Sequence, residues 1–169
     1  MSIVLGLNCN HADSSACILK DGKLLFAVEE ERINRVKHWA GLPIESIKEC
    51  LNQTNIDCVE ITDIAINTNP LSNFKEKTIF FLKNYLFGSK KKEIANRIIK
   101  KISIKKDLNN LLSPKKLSKK VKINYIDHHI AHIASAFYPS NFDNAVGLSI
   151  DGFGDFCSLS ITKCNNEKI

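Results

Sequence analysis

At 169 residues and 44% hydrophobic side chains, the chain can build one packed domain or part of a larger one, and its apolar runs are too short to cross a bilayer. Its net charge of +6 is local, with 16 Lys/Arg against 3 Asp/Glu between Lys75 and Lys122 and an acidic balance elsewhere, so the basicity marks one segment and argues against a chain built throughout for nucleic acid. The opening MSIVLGLNCN lacks the regions of a secretory leader and none of the six cysteines forms a C-x-x-C pair, so a cytoplasmic chain with reduced thiols is expected.

The elements follow in chain order. Residues 3–7 form a short apolar run that predicts a buried strand. A polar loop at 8–15 comes next. Residues 16–19 and 24–28 flank Lys20-Asp21-Gly22-Lys23, and Asp-Gly between two apolar runs predicts a hairpin. Pro43 suits a first helical turn, and Ile44, Ile47, Cys50 and Leu51 share one helical face. Residues 63–67 predict a further strand, giving β-β-β-α-β. From 70 to 120 the pattern changes. Residues 78–87 and 93–104 predict helices, interrupted by Lys90-Lys91-Lys92 and Pro114-Lys115-Lys116, and the stretch reads as a basic helical insertion. Residues 121–126 predict a strand, 128–138 a helix stopped by Pro139, 145–150 a buried strand and 151–155 a tight turn. Cys157, Leu159 and Ile161 alternate with polar residues, as in a half-buried strand. This last hairpin echoes the first. The expected organisation is a first lobe at 1–69, the insertion at 70–120, and at 121–169 a connecting strand and helix with the start of a second, incomplete lobe.

Four places carry candidate chemistry. His128 and His132, four apart on a helix, lie on one face about 5–6 Å apart. There they can share one metal at about 2.0–2.1 Å. Imidazole suits iron and zinc alike, and Asp127 or a backbone carbonyl can orient a ring. Equally, one histidine can cap the helix while the others pack. Asp151-Gly152-Phe153-Gly154-Asp155 offers glycines whose backbone N–H groups can approach a phosphate, with Asp151 and Asp155 as flanking carboxylates, or is an ordinary hairpin turn. The loop at 8–15 presents His11, Asp13, Ser14 and Ser15, residues for general base or hydroxyl contacts or simply a polar turn. Downstream, Arg35, Lys37 and His38 close the charged run that begins at Glu29. They form a cluster for an anionic or polyhydroxyl substrate, or a solvated helix start.

Taken together, LGLNCNHADSSACILKDGKLLFAVEEERINRVKHWAGLP and INYIDHHIAHIASAFYPSNFDNAVGLSIDGFGD resemble the N-terminal part of the NodU/CmcH/TobZ-type O-carbamoyltransferases. The linking segment, 70–120, carries no such match. The resemblance implies an α/β fold of the RNase-H-like, actin-like ATPase superfamily, a mixed sheet with flanking helices, its second lobe cut short. It implies carbamoyl transfer from carbamoyl phosphate, with ATP and through carbamoyladenylate, to a hydroxyl of a sugar-like or antibiotic-like acceptor. His128 and His132 match the family's metal pair, with Fe(II) or another divalent ion expected and Mg2+ as a further ion. Asp151, Gly152, Gly154 and Asp155 match the nucleotide-phosphate turn. His11 and Asp13 match the catalytic loop beside the acceptor, with Ser14, Arg35, Lys37 and His38 on the substrate side.

Two departures qualify this. The related tRNA threonylcarbamoyl transferases carry Glu midway in H-x-x-x-H, where this chain has Ile130, which favours a small-molecule acceptor over tRNA. The family's third metal ligand, an aspartate, lies beyond residue 169, and neither Asp151 nor Asp155 reads as its substitute. The chain alone is therefore expected to be inactive, with exposed sheet edges, and to need a downstream-encoded remainder. The competing reading is a non-catalytic binding or assembly module whose Lys-rich insertion engages nucleic acid or an acidic partner.

Overall fold

The computed structural model describes residues 1–10, 12–87, 104–112, 117–165 and 169. The chain divides into two compact units, one of residues 1–66 and 92–124, the other of 67–91 and 125–169. The expected helix at 93–104 lies outside the described residues except for Ile104.

The first unit is built on a five-stranded mixed sheet. Strands β1 (Ile3–Asn8), β2 (Ser15–Lys20) and β3 (Lys23–Glu29) form an antiparallel meander, β1 also pairs in parallel with β4 (Asp63–Ile66), and β5 (Lys122–Tyr125) completes the order β3-β2-β1-β4-β5. This is the mixed α/β architecture expected from the sequence. Asp21 and Gly22 join β2 to β3 with φ of 49° and 80°, the positive values that a two-residue hairpin with right-handed twist requires. Alternation is clean along β1, where Ile3, Leu5 and Leu7 are buried. Cys17 lies over Gly6: a Cβ there would sit 2.6 Å from its Sγ, so the cross-strand sulfur fills the space a side chain would need.

Helix α1 (Glu30–Asn34) follows β3 directly, and α2 (Ile44–Thr54) packs on β2 and β3 through Ile47 and Cys50. A short 3-10 turn at Cys58–Glu60 leads into β4. Helix α4 (Ile104–Leu111) buries Ile104 and Leu108, one turn apart, so part of the Lys-rich stretch contributes apolar residues to the core. Burying each such side chain is worth about 1.5–3 kcal/mol.

In the second unit, α3 (Phe74–Phe87) precedes α5 (His128–Phe137) and the hairpin of β6 (Asn144–Gly154) and β7 (Cys157–Asn165). Ile133 and Phe137 of α5 pack with Cys164 of β7. Gly147 lets the helix close on the strand: a Cβ there would run into Ile133 and come within 2.9 Å of the Cys164 sulfur. The opposite face of the hairpin shows Val146, Leu148, Ile150, Leu159 and Ile161 to solvent. The reversal expected at 151–155 falls instead at Asp155 and Phe156, both with positive φ. Strand β6 continues through Asp151 to Gly154, with irregular pairing after Ile150 that re-aims the intervening side chains.

Candidate functional site

Helix α5 starts at His128 because Asp127 caps it. Asp127 Oδ1 accepts the His129 N–H at 3.1 Å and its Oδ2 accepts the Ser72 hydroxyl at 2.6 Å. One turn separates His128 from His132, and their Nε2 atoms meet at 3.1 Å. Strand β6 brings Asp151 to the same point. Its Oδ2 lies 2.6 Å from His128 Nε2 and 3.6 Å from His132 Nε2. The approach depends on Gly154, where a Cβ would collide with the His128 ring, 2.6 Å from Cγ and 2.7 Å from Nε2. Asp151 thus stands beside the two histidines, a nearby carboxylate that the expectation of a third ligand beyond residue 169 had set aside. The spacing concealed it, because the eighteen residues of helix, turn and strand between His132 and Asp151 fold back to close the gap.

The hydrogen-bond logic of this group is specific. His128 Nδ1 faces the Asn67 carbonyl at 3.2 Å, which can only accept, so Nδ1 carries the hydrogen. Nε2 faces a carboxylate oxygen and a second imidazole nitrogen. Such atoms repel unless a cation lies among them. A proton serves one pair, whereas a metal ion serves all three. Tetrahedral ligands at about 2.0–2.1 Å from an ion lie about 3.3 Å from one another. The observed 2.6, 3.1 and 3.6 Å separations bracket that figure. The residues present therefore fit a divalent ion with open positions, since His132 and Asp151 stay partly exposed. The Asp151 carboxyl is held below the usual carboxylate range, first by its hydrogen bond to His128 and then by the Gly152 N–H, which donates to Oδ1 at 2.6 Å.

Two neighbours were legible only as types. His129 is buried: its Nε2 donates to the Cys157 carbonyl at 3.0 Å and its Nδ1 takes the Ser149 hydroxyl at 2.8 Å, tying α5 to both strands of the hairpin. Asp155, expected at a phosphate, turns inward instead. Its carboxylate accepts from Thr68 Oγ1 at 2.9 Å, from Asn69 N at 2.7 Å and from His128 N at 3.2 Å. Gly152 is exposed, with open space where a Cβ would stand.

In the first unit, His38 Nδ1 meets Asp13 Oδ1 at 2.9 Å and the His38 N–H donates to Glu31 Oε2 at 3.1 Å. The Asp13 hydrogen bond is the main cause that raises the His38 pKa above its ordinary value. Asp13 and His38 both have positive φ, of 60° and 54°. His11 lies outside the described residues. Ser14, expected to face substrate, is buried: its hydroxyl donates to the Gly41 carbonyl at 2.9 Å and accepts the Gly41 N–H at 3.1 Å. This staple holds the 8–15 loop against the 36–41 segment. Arg35 is the left-handed cap of α1, and it and Lys37 face solvent. The residue that sequence reasoning missed is Glu30. It is buried, and its two oxygens accept the Glu45 and Ser46 N–H groups at 3.1 and 2.8 Å, capping α2 from a distant position where Pro43 has no side chain to do so.

Among the described residues, no helix is long and apolar enough to cross a membrane. The chain is 32% identical over 171 residues to an uncharacterized protein, sll1178, of Synechocystis, covering 95% of this chain and 27% of that one. It is 29% identical over 147 residues to the nodulation protein NolNO of Sinorhizobium fredii, covering 86% and 20%. To the uncharacterized protein MJ1051 of Methanocaldococcus jannaschii it is 30% identical over 169 residues, covering 99% and 26%. It thus spans about a quarter of the length of these relatives. Among solved structures it is similar to YeaZ from Pseudomonas aeruginosa, with a TM-score of 0.43 and 11% identity over 97% of this chain and 67% of that one. A family model described as the carbamoyltransferase N-terminus matches residues 3–168, and the chain belongs to that family.

Proposed function

We propose that the chain forms the N-terminal part of an ATP-dependent O-carbamoyltransferase, which passes a carbamoyl group from carbamoyl phosphate, through carbamoyladenylate, to a hydroxyl of a sugar-like or antibiotic-like small molecule. The observation that carries the reading is the convergence of His128, His132 and Asp151 on one point. A divalent ion, Fe(II) on the family's pattern, would supply Lewis-acid charge there toward a phosphate or carbonyl oxygen.

The chain's own residues prepare that point. The Asn67 carbonyl fixes the His128 tautomer and aims Nε2 at the site. His128 first, and then the Gly152 N–H at one oxygen, hold the Asp151 carboxyl below the usual carboxylate range, with the other oxygen turned toward the site. In the first unit, Asp13 orients His38 and makes it more basic, so His38 is suited to take a hydroxyl proton. Ile130 lies between the two ligand histidines, where tRNA-modifying relatives of this fold carry an acid. This favours the small-molecule acceptor.

The test is metal content and turnover. The chain is purified alone and together with a polypeptide carrying the rest of the length found in its relatives, loaded with Fe(II), and supplied with carbamoyl phosphate, ATP and candidate hydroxyl acceptors. Carbamoylated product from the combined proteins, lost on His132→Ala together with bound iron, is the expected result. Turnover and iron content unaffected by His132→Ala would overturn the reading.

A further inference from the structure

A single buried carboxylate reaches both sources of the three ligands. Asp155 follows β6, the strand that bears Asp151, and its side chain is 3% exposed. Its Oδ2 takes the N–H of His128, the first residue of α5, a group that has no partner within the helix. The same oxygen accepts from Asn69 N, and Oδ1 accepts from the Thr68 hydroxyl. Its backbone carbonyl accepts from Asn73 Nδ2 at 2.8 Å. Lys77 Nζ, 3.8 Å from Oδ1 and 13% exposed, balances the charge. The residue itself sits at φ 49°, inside the turn that joins β6 to β7.

We propose that Asp155 is the positioning residue of the candidate metal centre. It locks the helix carrying both imidazoles to the hairpin carrying the third ligand, and so sets how tightly the centre holds a divalent ion. The inference rests on the metal-site reading above. The geometry behind it is direct. His128 is both a ligand and the residue whose backbone Asp155 holds. The Asn67 carbonyl that orients the His128 ring lies one residue before Thr68 and two before Asn69, both of which donate to Asp155. A neutral amide at 155 would face the His128 and Asn69 N–H groups with weaker acceptance, and where its NH2 took the Oδ2 place it would oppose them donor to donor. The ring and its carbonyl would then drift together. A charge that touches no ion thus acts through the register of those that do. Loss of such supporting contacts lowers metal affinity by about 10–100-fold.

The experiment is a Co(II) titration of the purified full chain, followed by calorimetry and by the visible absorption of the bound ion, with circular dichroism as the check on folding. Wild type, His132→Ala, Asp155→Asn and Thr68→Val are compared. The expected result is Co(II) binding by wild type, its loss in His132→Ala, and binding about 10–100-fold weaker in Asp155→Asn with a shifted absorption band. Thr68→Val removes one donor but keeps the carboxylate. It is expected to fold as wild type and to shift the band with a smaller loss of affinity, and it decides the matter if Asp155→Asn does not fold. Wild-type affinity and spectrum in the folded Asp155 and Thr68 variants, alongside loss in His132→Ala, would overturn this inference alone. Equal Co(II) binding by wild type and His132→Ala would overturn the metal reading and this inference with it.

Discussion

Replacing Glu30 with Gln tests whether one buried side chain caps a helix that starts fourteen residues later. Glu30 accepts two N–H groups of the first turn of α2, and the residue before that helix, Pro43, offers no side-chain cap. Hydrogen bonds to a charged group are worth about 1.5–3 kcal/mol net, against about 1 kcal/mol for a neutral pair. Gln keeps one carbonyl acceptor, loses the charge that complements the helix N-terminus, and turns an amide donor toward the second N–H. The expected loss is about 2 kcal/mol. For a chain of this length that is about 4–8 °C in melting temperature. Glu30→Ala leaves both buried donors unsatisfied and is expected to cost more, about 3 kcal/mol. Glu29→Ala is the control. Its pair with Arg32, 3.7 Å apart and exposed on both sides, contributes about 0.5 kcal/mol or less. Thermal unfolding followed by far-UV circular dichroism reads all three. A Glu30→Gln change no larger than that of Glu29→Ala would refute the capping argument.

Three further predictions concern neighbouring chemistry. Gly154→Ala drives a methyl into the His128 ring and is expected to cost about 1–3 kcal/mol and to weaken Co(II) binding, whereas Gly152→Ala, in open space, leaves both near wild type; thermal unfolding and metal titration separate them. His38 is expected to titrate above the ordinary histidine value of about 6.5, and Asp13→Asn to bring it back down, as read by NMR of the ring. The sign follows from the direction: a pKa raised in the fold gives a contribution that is present below the unfolded value and lost as pH rises through the folded one, and a rise in the His38 midpoint on Asp13→Asn would refute the pairing. Burial pushes the Cys50 thiol up to about 12, so at pH 8 only about one molecule in ten thousand carries its thiolate, and iodoacetamide is expected to leave it unmodified in the folded chain but not in urea.

The parts of the fold legible in the sequence are those set by local rules. Asp-Gly between apolar runs demands a hairpin with two positive φ angles, and Asp21 and Gly22 adopt them. Ile47 and Cys50 fall on one face by helical period, and that face is buried. What stayed hidden depended on long-range satisfaction of polar groups. Glu30 read as a member of a solvated charged run because a string of acids carries no sign of which one turns inward. Its burial follows from two orphan N–H groups fifteen and sixteen residues downstream. Ser14 misled for the same reason: a hydroxyl in a polar loop is as fit to staple Gly41 as to meet a substrate.

The candidate site divides along the same line. The i, i+4 spacing of His128 and His132 brings the two imidazoles together wherever the segment is helical, so that pair is written in the chain itself. Asp151 is not, because its arrival depends on three tertiary facts. Gly147 must let α5 lie close to β6, Gly154 must leave room beneath the His128 ring, and pairing must become irregular after Ile150. Both glycines were visible, yet a glycine-rich segment reads as a turn that approaches a ligand. Here one of them admits a side chain of the protein's own helix. The turn itself moved to Asp155 and Phe156, two residues without glycine's freedom. Asp155 can hold φ 49° because Thr68, Asn69, Asn73 and His128 all donate to it. A left-handed aspartate in a β-turn is cheap when its carboxylate is needed elsewhere, and that need is to hold the first turn of α5 where its imidazoles face Asp151.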